Sequence, residues 1–244
     1  MALQISDKNR CIFVHIPKAA GSSIEQSHLF DDQREKTGEY VGGHATAEEF
    51  RLHDPGKFEE YYKFTFVRNP YARLLSAYIY CHKGGANPEG KRIKETYFEG
   101  TPLDFHAFCL EQLSPEMIED VVHLRPQWHF LCDENGELRV DFVGRVESFK
   151  ADSKKVFKQL KQSFEYRHSL KGRNKHFSTY YTDEIAEVVY EFYKRDFELL
   201  SYDRKIDYSA GDNSKRKRIL EAATHSPFII AHKLKIKAKR LGKR

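Results

Sequence analysis

The sequence predicts an α/β fold, a single domain built on a central, mostly parallel sheet flanked by helices. Three observations predict it. Two short continuous apolar runs, Cys11–Ile16 and Phe64–Val67, suit strands buried on both faces, as in a parallel sheet. Each run is followed at once by a helix signature. The alternation of strand and helix then continues downstream, which is the pattern of an α/β chain.

The elements follow in order. The first run ends at His15 and opens into a helix through Ile16-Pro-Lys-Ala-Ala-Gly-Ser-Ser-Ile24. The second is introduced by Tyr61 and Tyr62. Asn69 then stands as N-cap and Pro70 as first helical residue. Tyr71, Leu74, Leu75 and Tyr78 recur at i, i+3, i+4 and i+7, one apolar helix face. Gly84–Gly90 reads as a surface loop between helices, and Pro102–Leu113 as a helix. Leu138–Val143 alternates like a strand and runs into a helix over Glu147–Ser163. Thr182 caps a long helix with Asp183 and Glu184 in its first turn, where acids complement the helix dipole, and Ile185, Val188, Val189 and Phe192 form its buried face. After Tyr208 the chain turns polar, which sets a domain over residues 1–210 and a tail over 211–244.

With 244 residues, 40% of them hydrophobic, and 18 Phe and 14 Tyr, the chain can bury one sizeable core, and disorder is excluded as the default. No stretch reaches the roughly 18 apolar residues of a membrane span. Met1–Arg10 is polar and lacks the apolar core of a signal peptide, so the expectation is a cytoplasmic, bacterial protein. Cys11, Cys81, Cys109 and Cys132 form no C-x-x-C pair and no zinc spacing with histidine, and are expected as free thiols. The net charge of +5 is uneven: from Asn213 onward eleven Lys and Arg face the single acid Glu221, leaving residues 1–212 mildly acidic. A general nucleic-acid binder is therefore not what the sum implies.

The first chemical motif is the strand-to-helix passage itself. A helix N-terminus presents unpaired N–H groups and a positive dipole end, which suits phosphate. Gly21 lets backbone approach an anion, Ser22 and Ser23 add hydroxyl donors, and Lys18 adds a mobile cation. The order is not that of the nucleoside-triphosphate loop G-x-x-x-x-G-K-[ST], because the lysine precedes the glycine. A plain strand–turn–helix junction with incidental Lys and Ser is the alternative. The second motif is Phe66-Val-Arg-Asn-Pro-Tyr-Ala-Arg-Leu-Leu-Ser-Ala-Tyr78. Arg68 stands at the carboxyl end of a buried strand, where ligands of open α/β sheets bind, and its fork can hold a phosphate through two hydrogen bonds. Ser76 offers a hydroxyl two turns into the helix. Pairing of Arg68 and Arg73 with surface carboxylates is the alternative.

The two motifs in this order, fifty positions apart from Lys18 to Arg68, resemble those of the carbohydrate sulfotransferases, the group that includes the heparan sulfate 2-O- and HNK-1-type enzymes and bacterial relatives. The resemblance spans residues 10–203. It implies a P-loop-like fold and transfer of a sulfuryl group from 3′-phosphoadenosine 5′-phosphosulfate to a hydroxyl, with release of adenosine 3′,5′-bisphosphate and no metal. It implies that Lys18, Ala20, Gly21, Ser22 and Ser23 hold the 5′-phosphosulfate and that Arg68 and Ser76 hold the 3′-phosphate. Val140–Phe149 is similar to the family's Asp-Phe-Ile-Gly-Arg-Phe-Glu segment, with Arg145 and Glu147 read as structural, an ion pair. Lys175–Tyr181 resembles the loop that closes on the nucleotide and adds Lys175, His176 and Ser178 as cofactor contacts. A carbohydrate or glycoconjugate is the implied acceptor partner.

A base must take the acceptor's proton. His44, after Gly42-Gly43 and before the amphipathic stretch Thr46–Leu52, resembles the histidine segment of the 2-O-sulfotransferase type and is the expected base, with Lys18 the second catalytic residue. His15 reads as a strand-end packing residue. Arg125–His129 reads as a stretch along an acceptor groove, with Trp128 either stacked on a sugar or in the core. In the tail, Lys215–Arg218 and Lys233–Arg240 surround the apolar Pro227–Ala231. It is either a solvated appendage or a peripheral attachment to anionic membrane at the inner face, with nucleic acid a third choice. Two other classes stay open: a nucleotide-dependent kinase, which the missing G-K-[ST] opposes, and a non-catalytic nucleotide- or carbohydrate-binding module.

Overall fold

The computed structural model describes residues 3–37, 43–164 and 176–209. Four strands make one sheet in the order β1-β2-β3-β4: β1 Ile5–Ser6, β2 Cys11–Val14, β3 Tyr62–Val67 and β4 Phe142–Arg145. Strands β2, β3 and β4 are parallel, with Phe13 opposite Phe64 and Phe64 opposite Phe142. The short β1 pairs antiparallel with β2 through Ile5–Ile12 and Ser6–Cys11, so the sheet is mixed. Two residues are too few to carry a periodicity, which is why β1 is not legible in the sequence.

Both faces of the sheet are buried, as continuous apolar strands require. Ile12 and Val14 join Phe50, Val67 and Phe130 in one apolar cluster. Phe13, Phe64 and Phe66 join Phe30 and Phe157 in another on the opposite side. Phe64 and Phe66 are 0% and 1% exposed. Truncation of either to Ala is expected to cost about 3–5 kcal/mol, the transfer loss plus the cavity left behind.

Eleven helices surround the sheet among the described residues. The first two are α1 Gly21–Glu25 and α2 Asp31–Thr37. Helix α3, Ala47–His53, starts with a capping box: Thr46 accepts from the Glu49 N–H and Glu49 accepts from the Thr46 N–H. Helix α4, Pro55–Glu60, is capped by Asp54. Helix α5, Pro70–His82, has Asn69 accepting from the N–H groups of Tyr71 and Ala72 and Pro70 in its first turn, as the sequence predicts. It is buried nearly all round and anchors the largest apolar cluster with Phe108, Tyr181, Ile185 and Tyr193. The expected loop Gly84–Gly90 is only half loop. Gly84 and Gly85 turn the chain at φ 89° and 60°, and Asn87 then caps α6, Pro88–Tyr97.

The expected helix Pro102–Leu113 is shorter. Asp104 caps α7, Phe105–Ala107, which widens into a π-helical turn over Phe108–Gln112. Two short helices follow, α8 Pro115–Asp120 and α9 Trp128–Leu131. The alternation of Leu138–Val143 has two separate partners. Leu138 bridges Cys132 in an antiparallel sense, and the Arg139 N–H donates to the Leu131 carbonyl. The ladder to β3 starts only after the Asp141 N–H meets the Lys63 carbonyl, so β4 lies four residues downstream of the predicted start. Helix α10 is Phe149–Gln159, after a short turn over Val146–Ser148, and α11 is Asp183–Leu199, capped by Thr182.

The four cysteines are buried free thiols. No helix among the described residues is long and apolar enough to cross a membrane. The expected boundary at 210, the tail and Lys175 lie outside the described residues.

Candidate active site

After β2 the chain passes through residues 15–20 before α1 begins. Lys18 and Ala20 hold φ of 66° and 62°, the left-handed region that non-glycine residues avoid. Each such residue costs of order 1–3 kcal/mol and persists where its surroundings impose it. Ala20 is the N-cap and brings no side-chain cap; the Ser23 N–H donates to the Ala20 carbonyl at 3.1 Å, which leaves the amides of Gly21 and Ser22 without a side-chain cap. Ser22 is exposed and Ser23 half-buried beside them.

Gly21 has a reason the sequence does not show. Its φ is ordinary, but a Cβ there would lie 1.9 Å from His15 Nε2. Glycine at 21 makes room for the imidazole of His15, a demand separate from the anion approach expected of it.

The ammonium of Lys18 lies 4.1 Å from the ring centre of Tyr80 on α5. Burial pulls its pKa below the usual lysine range; the Cys81 thiol opposes this and the Arg68 guanidinium adds to it. No carboxylate among the described residues pairs with it. Ser76 is half-buried one turn before Tyr80, and residues i and i+4 share a helix face, so Ser76 lies on the Lys18 side of α5.

Arg68 follows β3. Its Nη1 donates to the Lys18 carbonyl at 3.4 Å, which brings the ends of the two motifs together. Gln127 grips the Arg68 backbone from both sides: its Oε1 accepts from the Arg68 N–H at 2.9 Å and its Nε2 donates to the Arg68 carbonyl at 2.8 Å. Gln127 is itself held by the buried carboxylate of Asp196, which accepts from its N–H at 2.8 Å. Burial lowers the pKa of Arg68 and Glu147 opposes this. Arg73 is fully buried and donates to the carbonyls of His123, Leu124 and Arg125. Among the described residues neither arginine pairs with a surface carboxylate.

Arg145 and Glu147 are structural, but not as an ion pair. Arg145 lies over the ring of Tyr202 and donates to the Leu200 carbonyl at 2.6 Å. Glu147 accepts from the Asn69 N–H at 2.8 Å and from the Tyr202 hydroxyl at 3.0 Å. Tyr202 stands between them and steadies the start of α5.

Three histidines meet beside Lys18. The rings of His15 and His44 are 4.5 Å apart, and those of His44 and His123 5.3 Å. Tyr80 lies 4.7 Å from His123 and so touches both the lysine and the histidines. Burial pushes His44 down to about 3, reinforced by His15 and His123, and His123 down to about 4, reinforced by Lys18. His44 is therefore neutral near pH 7. Its Nδ1 lies 3.2 Å from the His15 carbonyl, which only accepts, so the proton sits on Nδ1. His15 Nδ1 faces the Glu25 carboxylate at 2.7 Å. Sequence reasoning missed His123, Tyr80 and Glu25. His123 falls in the apolar run Val121–Leu124 and looks like core.

Not every expected site residue is placed in this cluster. His176 and Ser178 bond to each other, Nδ1 to hydroxyl at 2.8 Å, and cap the short turn Phe177–Tyr180 against α5. No hydrogen bond links them to Lys18 or Arg68. Trp128 is half-buried, with the Arg195 guanidinium 4.0 Å from its ring centre. With Arg125 and His129 it lines two adjoining clefts of about 370 and 830 Å³. These start close to the histidines, since Thr46 is two residues from His44 and Arg125 two from His123.

The mixed α/β sheet thus brings a lysine loop and the arginine at the end of the next parallel strand together, with a histidine cluster beside the lysine. The chain belongs to the sulfotransferase family, whose sequence profile it matches over residues 1–203. It is similar to carbohydrate sulfotransferase 12 of Mus musculus, 24% identical over 177 residues, which are 60% of this chain and 41% of the relative. Similarity to carbohydrate sulfotransferase 12 of Xenopus laevis is 23% over 179 residues, 62% of this chain and 42% of the relative. The chain thus spans about two fifths of the length of these relatives. No solved structure matches it.

Proposed function

We propose that this protein transfers a sulfuryl group from 3′-phosphoadenosine 5′-phosphosulfate to a hydroxyl of a carbohydrate on a P-loop-like scaffold. The observation that carries the reading is the meeting of the two motifs: Lys18, a half-buried cation with no carboxylate partner among the described residues, lies in a loop whose carbonyl is touched by Arg68. Lys18 with the backbone of Ala20–Ser23 receives the 5′-phosphosulfate, and Arg68 with Ser76 receives the 3′-phosphate. Preorganised cations of this kind favour charge as it develops on the leaving phosphate. A neutral histidine of the cluster takes the acceptor's proton, and His44 is the member the sequence singles out. The acceptor lies along the clefts beside Trp128, whose indole offers a face to a sugar ring. The chemistry needs no metal, because Lys18, Arg68 and the loop amides supply the positive charge.

The test is a transfer assay with radiolabelled donor against a panel of neutral and acidic glycans. Labelled product and release of adenosine 3′,5′-bisphosphate are expected. Transfer of the γ-phosphate of ATP instead, or no transfer from either donor, overturns the reading.

A further inference from the structure

One short segment, residues 123–128, reaches the histidine cluster, Arg68 and the clefts together. We infer that Gln127 within it is a positioning residue for donor specificity: it sets how Arg68 meets a 3′-phosphate and carries that contact to Trp128 in the neighbouring cleft. The inference rests on the sulfuryl-transfer reading above and deepens its donor site.

The segment is fastened by its main chain. Arg73 on α5 donates to the carbonyls of His123, Leu124 and Arg125 at 3.1, 3.5 and 2.6 Å. From α11 the Tyr193 hydroxyl donates to the Leu124 carbonyl at 2.7 Å. The two oxygens of Asp196, also on α11, accept from the N–H groups of Gln127 and Trp128, each at 2.8 Å. Arg73, Tyr193 and Asp196 are all buried. Because these bonds go to backbone, the side chains of the segment serve other places. His123 meets His44 and Tyr80, Gln127 turns to Arg68, and Trp128 with Arg125 lines the clefts.

Gln127 stands where local structure asks for a different residue. It is the N-cap of α9, a position that favours Ser, Thr, Asp or Asn, and its side chain caps nothing there. Asp196 takes the first amides of α9 in its place. The Gln127 side chain is spent on Arg68, and both ends of its amide are used: Oε1 accepts from the Arg68 N–H at 2.9 Å and Nε2 donates to the Arg68 carbonyl at 2.8 Å. Gln127 is fully buried, so leaving either bond unmade is costly. Arg68 is the first residue past β3, and the ladder to β4 ends one residue earlier, at Val67 opposite Arg145. Gln127 pairs with the Arg68 peptide as a strand would, and so fixes the backbone from which the guanidinium crosses to the Lys18 carbonyl.

An arginine fork discriminates by direction as well as by charge, and direction needs a fixed base. The guanidinium supplies the charge and Gln127 the base. Glu147 holds only the next N–H, that of Asn69, so the hold on Arg68 itself rests on Gln127. Hydrogen-bond networks carry coupling between sites. A phosphate that pulls on Arg68 pulls on Gln127, and Gln127 shares the Asp196 carboxylate with Trp128. Trp128 is the single tryptophan of the chain, so its emission reports what reaches the cleft.

The test uses the full chain, as wild type and as Gln127→Met, which keeps the bulk of the side chain and the Arg68 guanidinium but removes both bonds. Calorimetry measures binding of adenosine 3′,5′-bisphosphate and adenosine 5′-monophosphate, and Trp128 emission is read with each nucleotide at saturation. In the wild type the bisphosphate should shift the emission and the monophosphate, which lacks the 3′-phosphate, should not. Gln127→Met should lower the preference for the bisphosphate by about 3–10-fold, the net worth of about one hydrogen bond, with monophosphate affinity held within about twofold. In that variant the bisphosphate should no longer shift the emission. An unchanged preference in Gln127→Met overturns the inference, and sulfuryl transfer by the same variant then leaves the functional reading intact. Affinity for the two nucleotides falling in parallel overturns it in favour of a purely structural residue. Equal wild-type emission with the two nucleotides overturns it with no variant needed. Absence of bisphosphate binding and of sulfuryl transfer in the wild type overturns the functional reading and the inference with it.

Discussion

The guanidinium of Arg68 reaches the carbonyl oxygen of Lys18 at 3.4 Å, across fifty positions of sequence. This contact ties the loop after β2 to the end of β3, adjacent parallel strands of the sheet. Arg68 therefore has two tasks that a single substitution separates poorly: it presents a cation, and it braces the lysine loop. Gln127 takes over part of the second task by clamping the Arg68 backbone, which no side-chain change at 68 removes.

Lys18→Ala is expected to lower turnover by roughly 10²–10³, the range for losing one preorganised electrostatic contact. Nucleotide affinity should fall by less, because Arg68 and the loop amides stay in place. Lys18 has no ion pair to lose among the described residues and it sits against the Tyr80 ring, so the melting temperature should barely change. Steady-state kinetics beside a thermal melt checks both. Wild-type turnover would remove Lys18 from the chemistry.

Arg68→Ala is expected to erase the preference for adenosine 3′,5′-bisphosphate over adenosine 5′-monophosphate, since the discriminating phosphate loses its fork. Arg68→Lys should keep only part of it, because an ammonium cannot bond in two parallel directions. Calorimetry with both nucleotides decides this. A preference that survives Arg68→Ala places the 3′-phosphate elsewhere.

The parts of the molecule legible in the sequence are those governed by local rules. The runs at Cys11 and Phe64 are strands because they are continuous and apolar, and Asn69-Pro70 starts a helix because an Asx cap and a proline suit that junction. The two motifs could be read because loop chemistry is contiguous in sequence. What was hidden depends on contacts between distant segments. Glu25 looks like one surface acid in a short helix until Gln4 and His15 close over it. His123 looks like core until the Arg73 guanidinium grips its carbonyl and its ring meets His44. The break between Leu138 and β4 arises because one alternating stretch serves two partners.

Turnover should persist in excess chelator. The positive charge required by the phosphosulfate is supplied by Lys18, Arg68 and loop amides, all of them protein groups. Assay in the presence of EDTA, with and without added magnesium, checks it. Complete loss that magnesium restores would favour a nucleotide-dependent kinase over a sulfotransferase.

Acid should destabilise the fold through His44, and the sign follows from burial. In the folded chain His44 titrates at about 3 rather than its ordinary 6.5, with burial the largest cause. Between those values the unfolded chain binds a proton that the folded chain refuses, so stability falls as pH drops through this window and is constant above it. At pH 5 the penalty from this one group is about 2 kcal/mol relative to pH 7. His44→Asn has no imidazole to protonate, and the Asn amide can still donate toward the His15 carbonyl. The variant should therefore lose less stability than wild type between pH 7 and pH 5, even if it is somewhat less stable at pH 7. His123, lowered to about 4, adds a second contribution of the same sign, so acid sensitivity should be reduced rather than abolished. Urea unfolding at both pH values on wild type and His44→Asn gives the comparison. Equal losses in the two proteins would mean that His44 titrates near its ordinary value, and that the cluster opens to water instead of holding its histidines neutral.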